Sequence, residues 1–171
     1  TKKQINDLEI YAKFLLEYNS HTNLTAITEL NDVYLKHFYD SLTIVKNIDL
    51  TKIANLLDIG TGAGFPGMVL KIVFPSLKVT LLDSNNKKIV QNRREFYDIV
   101  TSRAVADLSI LSELAIPYLK VGGNFIAMKA NYQDELHNAE NIIKKLHSKV
   151  TKITEFTLPA TDMNRGIITI N

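Results

Sequence analysis

The sequence contains no cysteine, and it has only seven glycines and four prolines among its 171 residues. Without cysteine, the chain can form neither disulfide bonds nor thiolate metal sites, and it cannot use a thiol as a nucleophile. No apolar run approaches the roughly 20 residues that a membrane-spanning helix needs, and no signal peptide is recognisable. We therefore expect a cytoplasmic protein that is not embedded in a membrane.

The composition is that of an ordinary globular protein. Apolar residues make up 46% of the chain and charged residues 22%, and the formal net charge is +2. This charge is well short of the strongly basic balance that marks a nucleic-acid-binding protein by itself, so it permits an RNA partner without arguing for one. The length suggests one main domain and a monomer.

The spacing of apolar residues changes near residue 53. Residues 2–19 and 31–46 have the pattern of amphipathic helices, the second with Phe38, Leu42 and Val45 on its inner side. Beyond residue 53, short apolar strands alternate with helical segments over 66–74, 107–123 and 133–149. The predicted strands are NLLDI (55–59), KVTLLD (78–83), DIVTSR (98–103), NFIAMK (124–129), TKITEFTL (151–158) and GIITI (166–170).

Strands that alternate with helices predict an α/β domain with a mostly parallel sheet and helices on both faces. Only a short link joins the last two strands, so we expect them to form an antiparallel hairpin at one edge. The chain would then divide into an N-terminal helical extension, residues 1–50, and the sheet domain, residues 51–171.

The stretch between Asp83 and Asp98 is poorly suited to the crossover that it must make. It has only fourteen residues, most of them polar, whereas a crossover with its helix needs at least about 10–12 residues and an apolar face. We therefore predict that residues are missing from this sequence, after Lys88 and again after Arg93.

Four of the seven glycines lie in NLLDIGTGAGFPG, residues 55–67. This loop follows the first predicted strand and leads into a helix, and ligands of α/β sheets bind at the carboxyl ends of the strands. Glycines let the backbone approach a ligand closely. Asp83 ends the next strand, where a carboxylate can bind the hydroxyl groups of a ribose. A tight turn alone would not require all of these features.

Two cofactors share this loop pattern. Gly62, Gly64 and Gly67 satisfy the G-x-G-x-x-G motif of dinucleotide-binding proteins, whereas Asp58, Gly60, Gly62 and Gly64 satisfy the D-x-G-x-G-x-G pattern of S-adenosylmethionine-binding proteins. A pyrophosphate about 4 Å from Asp58 would be repelled by roughly 4 kcal/mol at an effective dielectric constant of 20. S-adenosylmethionine carries a sulfonium and an ammonium group, which Asp58 would attract. The methyl donor is favoured, and an NAD-dependent oxidoreductase is the alternative.

The sequence lacks the groups that activate several methyl acceptors. Methylation of pyrimidine carbon 5 usually uses a cysteine. The N-P-P-Y or D-P-P-Y tetrapeptide that holds an exocyclic amine is also absent, and Thr101-Ser102-Arg103-Ala104 stands in its place. Guanine N7 is a ring nitrogen with an accessible lone pair, so its methylation needs no activating residue and can rest mainly on orientation.

Several motifs carry a resemblance to a known family. DIGTGAGFPG, LLDSNNKK, TSRAVADL and AMK, preceded by NLT and HFYDSL, resemble those of the bacterial small-subunit ribosomal RNA guanine-N7 methyltransferases, the GidB/RsmG family, from about Leu8 to the C-terminus. The resemblance implies a Rossmann-like class I S-adenosylmethionine-dependent methyltransferase with an N-terminal helical extension. It also implies N7-methylguanosine in 16S ribosomal RNA as the product. A non-catalytic RNA-binding module with the same fold is a second alternative.

The resemblance also assigns residues to the cofactor. The family's acidic pair that contacts adenine has no counterpart here, which supports missing residues between Lys88 and Phe96. The expected cofactor-binding residues are Asp58, Gly60, Gly62, Gly64, Phe65, Asp83, Ser84, Asn85 and Arg103.

Three residues are candidates for RNA contact, and each has an ordinary alternative. Arg103 could bind the cofactor carboxylate or an RNA phosphate, or form an ion pair with Asp107. His37 shares a helix face with Asp40, which is also typical of a surface pair. Lys129 ends a predicted strand and could contact the RNA backbone or be solvated. The sequence shows no metal-ligand spacing, and it identifies no general base.

Overall fold

The computed structural model describes residues 1–83, 92–103 and 105–171. Its centre is a six-stranded sheet in the order β2-β1-β3-β4-β6-β5. Strands β2, β1, β3 and β4 are parallel, whereas β6 is antiparallel to both β4 and β5. The strands are β1 (Asn55–Ile59), β2 (Lys78–Leu82), β3 (Tyr97–Arg103), β4 (Leu119–Lys129), β5 (Val150–Thr157) and β6 (Asn164–Ile170).

Helices cover both faces of this sheet, as predicted. They are α1 (Lys2–Thr22), α2 (Leu30–Asp32), α3 (Asp40–Leu42), α4 (Gly67–Val73), α5 (Leu108–Ala115) and α6 (Gln133–Lys145). Alternate side chains of a strand point to opposite faces. In β1, Leu57 packs in the core with α5 and α6, whereas Leu56 packs in the core with α4. The α/β architecture and its antiparallel edge hairpin are confirmed.

The second helical stretch, residues 30–46, changes its hydrogen bonding along its length. Between α2 and α3 it is a π-helix, Val33–Tyr39, and it ends as a 3-10 turn, Thr43–Lys46. A π-helix is wider than an α-helix and is often found at functional sites. The buried stripe runs through Val33, His37, Ser41 and Ile44, whereas Val45 is 48% exposed. The prediction that Val45 faces inward was wrong, because Phe38, Leu42 and Val45 have the same helical spacing on the neighbouring stripe.

The helix predicted over 107–123 is shorter than expected. Helix α5 ends at Ala115, a 3-10 turn follows at Ile116–Tyr118, and β4 begins at Leu119. Pro117 lies in this turn and has no N–H group to continue a helix. The glycine pair expected to end the helix therefore lies inside a strand. The segment suspected of missing residues falls largely on 84–91, outside the described residues.

One buried hydroxyl group gives a test of the packing. Tyr97 is fully buried, and its hydroxyl has no hydrogen-bond partner among the described residues. An unpaired buried hydroxyl costs about 1–3 kcal/mol. We expect Tyr97→Phe to raise the free energy of unfolding, measured with urea, by about 1 kcal/mol. The control is Tyr132→Phe, which removes a hydroxyl that donates to Glu155 at 2.7 Å and should not stabilise the protein. A less stable Tyr97→Phe protein would contradict the packing described here.

Candidate functional site

The glycine loop, residues 60–66, lies at the carboxyl end of β1 and leads into α4. Asp83 follows β2 directly, and its Oδ2 accepts a hydrogen bond from the Gly62 N–H at 2.9 Å. The structure therefore brings together the loop and the carboxylate that the sequence placed in one site. Ser84 and Asn85 lie outside the described residues.

Two glycines of this segment serve different purposes. Gly62 has a φ of +53°, and a Cβ atom placed on it would meet no atom of the described residues within 4 Å. Among these residues the backbone at Gly62 therefore faces open space, where a ligand could lie. At Gly67 a Cβ would lie 2.4 Å from Leu81 Cδ2 and 2.9 Å from Asp58 Oδ2. Gly67 thus lets the start of α4 pack closely on the sheet.

Asp58 lies fully buried beneath the loop. Its Oδ2 accepts hydrogen bonds from the Gly67 N–H at 2.9 Å and from the Thr61 hydroxyl at 2.8 Å. Its Oδ1 is buried and has no partner among the described residues. Burial raises the pKa of Asp58 to about 6, against the opposing effect of its two hydrogen bonds and of Arg103. Asp58 therefore shapes the loop and keeps one oxygen that a cation would stabilise.

Most amide groups of the loop already bond to oxygen atoms of the protein. A pyrophosphate-binding loop must instead offer its N–H groups to phosphate oxygens. A dinucleotide would therefore find few free donors here, and a buried carboxylate beneath them. The amides that donate within the protein, at 2.7 to 3.3 Å, are those of Gly60, Thr61, Gly62, Gly64 and Phe65 in the loop and that of Gly67 at the start of α4.

The N-terminal extension holds the loop from the other side. The Tyr11 hydroxyl of α1 donates to the Ala63 carbonyl at 2.5 Å, and burial raises the pKa of this hydroxyl, which keeps it a donor. The Phe65 ring is 4% exposed and stacks on His37 with ring centroids 4.4 Å apart. The Phe65 side chain thus lies in the core between loop and extension, not on the open face.

His37 is a neutral, buried histidine. Arg103 Nη2 lies 3.2 Å from His37 Nδ1, and Thr25 Oγ1 lies 2.8 Å from His37 Nε2. Arginine can only donate, so Nδ1 accepts, and Nε2 carries the proton and donates to Thr25. Burial and the charge of Arg103 lower the pKa of His37 to about 4. The surface pair with Asp40 was wrong, because both side chains are at most 9% exposed.

Asp40 lies between two arginines. Arg165 Nε donates to both carboxylate oxygens at 3.2 Å, and Arg103 Nη1 lies 3.5 Å from Asp40 Oδ2. The alternative pairing of Arg103 with Asp107 was wrong, because the Asp107 carboxylate caps α5 by accepting from Ser109. The Arg103 guanidinium also lies 5.0 Å from the Phe65 ring centroid. Arg103 therefore connects the glycine loop to Asp40.

A cavity of about 270 Å³, the edge cavity, opens beside Arg103 at the carboxyl ends of β3 and β4. All three candidates for RNA contact line it. The sequence analysis missed Arg165 as a residue of this cavity. Arg165 is the second residue of the antiparallel strand β6, whose Gly166 pairs with Lys129, so strand direction could have placed it here. The walls include His37, Asp40, Arg103, Met128, Lys129 and Arg165.

Lys129 is 6% exposed and is not a solvated lysine. Its ammonium group lies 2.7 Å from Glu135 Oε2 and also contacts the Ala106 carbonyl. Its charge is therefore balanced within the protein, and Lys129 ties β4 to α6. A direct contact of Lys129 with RNA phosphate thus has less support than one by Arg103 or Arg165.

The described ranges 1–83, 92–103 and 105–171 contain no helix with the length and apolar composition that crossing a bilayer requires. In the same part of the chain, the His, Asp and Glu side chains form no group of three that could hold a metal ion.

Similarity to known proteins fits this geometry. The GidB family model, described as rRNA small subunit methyltransferase G, matches residues 4–91 and 89–164. The chain belongs to the GidB family. A ribosomal RNA small subunit methyltransferase G of Halalkalibacterium halodurans is 42% identical over 198 residues, covering 99% of this chain and 83% of the relative. The Limosilactobacillus reuteri protein of the same name is 46% identical over 204 residues, with the same coverage.

The fold of this chain is also similar to that of solved structures with much lower sequence identity. A chain in the solved complex between the Haloferax volcanii Trm112 methyltransferase activator and a methyltransferase superposes with a TM-score of 0.57 at 12% identity. The match covers 91% of this GidB-family chain and 96% of that chain. The class I methyltransferase fold expected from the sequence is confirmed.

The neutral state of His37 predicts how stability depends on pH. His37 in the unfolded chain binds a proton below about pH 6.5, whereas in the folded protein the pKa of His37 is about 4 and the ring stays neutral down to that pH. Stability should therefore fall as the pH decreases through this range. We expect His37 to contribute roughly 2 kcal/mol to the loss between pH 7 and pH 5. His37→Phe should reduce this loss, measured by urea unfolding at both pH values.

The matched control is His137→Phe, at an exposed histidine of α6, which should leave the pH dependence unchanged. Equal pH dependence in the His37→Phe and wild-type proteins would contradict a neutral, buried His37.

Proposed function

We propose that this protein transfers a methyl group from S-adenosylmethionine to N7 of a guanosine in 16S ribosomal RNA, acting as a monomer in the cytoplasm. One observation of the site carries the proposal. Within the described part of the chain, the glycine loop is open at Gly62, bonds most of its amides to protein oxygens, and covers a carboxylate with one unpaired oxygen. These features suit a cationic nucleoside without phosphate. The family and its named relatives support ribosomal RNA as the acceptor.

The chain offers a place for the ribose and for the methionine portion of the cofactor. The Asp83 carboxylate, already within 2.9 Å of the Gly62 amide, would accept hydrogen bonds from the ribose hydroxyls. The methionine portion would lie over Gly62, where the negative charge of Asp58 favours the cationic groups. When bound, S-adenosylmethionine supplies an electrophilic methyl group. Asp58 would thus act through the loop and through charge, because the structure buries it completely.

The edge cavity is the place we propose for the acceptor. It lies beside Arg103, which also contacts Phe65 of the glycine loop, so donor and acceptor would meet at this side chain. Arg103 and Arg165 together carry two positive charges against the single carboxylate of Asp40. The remaining charge would attract the phosphate of the methylated nucleotide.

The proposed reaction needs orientation more than acid–base chemistry. The N7 lone pair of guanine attacks the methyl carbon, the new N–C bond forms as the C–S bond breaks, and the bonding electron pair stays on sulfur. N7 carries no hydrogen, so no proton must leave. The neutral His37 with both ring nitrogens engaged is consistent with a step that requires no general base. The chain contributes by holding the base in line.

The rival functions receive less support. The amide groups that a dinucleotide requires are occupied, as described above, and neither an NAD-dependent oxidoreductase nor a non-catalytic RNA-binding module is favoured by the relatives. Transfer of a labelled methyl group to 16S RNA, naked and in assembled small subunits, tests the proposal directly. Calorimetric binding of NAD but not of S-adenosylhomocysteine would overturn it.

Asp83 gives the sharpest test of the cofactor site. Loss of charge-assisted hydrogen bonds to the ribose should cost about 1.5–3 kcal/mol. We therefore expect Asp83→Ala to weaken the binding of S-adenosylhomocysteine about 10- to 100-fold in calorimetry. Asp83→Asn keeps an oxygen that accepts from the Gly62 N–H. We still expect this variant to bind S-adenosylhomocysteine more weakly than the wild-type protein does.

The control for Asp83 is Asp162→Ala, at an exposed position in the loop between β5 and β6, which should retain wild-type affinity. Thermal unfolding would show that each variant is folded. Unchanged affinity in both Asp83 variants would refute the proposed ribose contact.

We also propose that the natural chain has more residues between Asp83 and Phe96, within the domain of residues 51–171. The alignment with the H. halodurans relative is 198 residues long, although this chain has 171. The family match is divided into two segments that meet at 89–91. Peptide mass mapping of the natural protein should find additional peptides here. Peptides that join Lys88 directly to Ile89 and Arg93 directly to Arg94 would contradict this proposal.

A further inference from the structure

A second basic surface lies at the opposite end of the sheet from the glycine loop. This basal groove, of about 780 Å³, runs along the amino ends of β3 and β4 and past the end of α6. Strand β3 starts at the groove and ends at Arg103, so the two sites are roughly 20 Å apart at about 3.3 Å per strand residue. The charged residues that line the groove are Arg94, Glu95, Lys120, Lys145 and Lys149.

The side chains of this groove carry a net positive charge, because Arg94, Lys120, Lys145 and Lys149 face only the carboxylates of Glu95 and Asp98. Lys120 pairs with Asp98 at 2.7 Å. Arg94, Lys145 and Lys149 are exposed, and none of them forms an ion pair within the described part of the chain. By contrast, the arginines and the lysine at the edge cavity are all paired. Unpaired like charges around one concave surface repel each other, and they raise the local concentration of an anionic partner.

The end of α6 does not offset these charges. The last carbonyl groups of a helix carry partial negative charge. Here the carbonyls of residues 142–144 accept hydrogen bonds from the amides of Leu146, His147 and Ser148, each at 3.0 Å. Their acceptor capacity is used within the protein, so the lysine ammonium groups dominate the groove.

We propose that the basal groove binds the sugar–phosphate backbone of ribosomal RNA, at a segment distinct from the one that presents the guanosine. This inference rests on the proposed function for the identity of the RNA. Contacts to phosphate fix the position and orientation of a nucleic acid without reading its sequence. A contact roughly 20 Å from the edge cavity requires RNA long enough, or folded suitably, to reach both. The groove would therefore favour folded 16S RNA over short oligonucleotides.

The test removes two unpaired charges from the groove. Lys145→Ala/Lys149→Ala should weaken direct binding of naked 16S RNA roughly tenfold at low salt. It should also reduce the slope of log affinity against log salt by about 2, one for each lost phosphate contact. In methyl transfer, KM for RNA should rise by a similar factor. Both kcat and the affinity for S-adenosylhomocysteine should be unchanged, because neither lysine touches the cofactor site.

The matched control is Lys2→Ala/Lys13→Ala, which removes the same charge from exposed positions on α1. If RNA binding weakens equally in this control, the effect comes from net charge alone, and the inference is overturned. Unchanged RNA affinity and salt slope in the groove variant would also overturn it. A defect seen only with assembled subunits, and not with naked RNA, would assign the groove to a ribosomal protein instead.

The outcome is separable from that of the proposed function. If wild-type protein neither binds S-adenosylhomocysteine nor methylates RNA, the proposed function fails. Direct RNA binding by the two double variants still decides whether the groove is an RNA contact.

Discussion

The guanidinium of Arg103, whose side chain is only 15% exposed, is the constraint on which the arrangement of the site depends. A charged group out of water must have its N–H groups bonded and its charge balanced. Arg103 meets both conditions only because distant segments converge on it: the Lys36 carbonyl, His37 and Asp40 from the N-terminal extension, and Phe65 from the glycine loop. The position of the extension on the sheet domain is thus coupled to the geometry of the cofactor loop.

The π-helix is part of this arrangement. Residues Val33–Tyr39 supply both the Lys36 carbonyl and the His37 ring to Arg103. A regular α-helix would direct these groups differently, because its residues follow a tighter turn. The segment in which Val45 was misplaced therefore also builds the wall of the edge cavity, through Lys36 and His37.

The sequence predicts the secondary structure and the glycine loop, which follow from local patterns. It does not predict side-chain contacts that depend on the fold. Runs such as NLLDI predict strands because both faces are apolar, and the glycine loop with Asp83 follows from strand order alone. Lys129 was expected to be solvated or to touch RNA, because the local pattern does not show that the turn between β4 and α6 brings Glu135 back to it. Arg103 was given the nearest acid, Asp107, although the fold provides Asp40, more than sixty positions away.

The two buried carboxylates, Asp40 and Asp58, differ in how their negative charge is balanced, and this difference bears on where donor and acceptor bind. Asp40 is held by two arginines, so its charge is fully compensated and the surplus there is positive. Asp58 has hydrogen bonds but no ion-pair partner in the described structure, and burial raises its pKa to about 6. A cation above the glycine loop would relieve that cost, whereas an anion would increase it. A cationic methyl donor thus suits the negative charge beneath the glycine loop, and a polyanionic acceptor suits the positive charge at the edge cavity. If donor and acceptor exchanged places, like charges would meet at both sites.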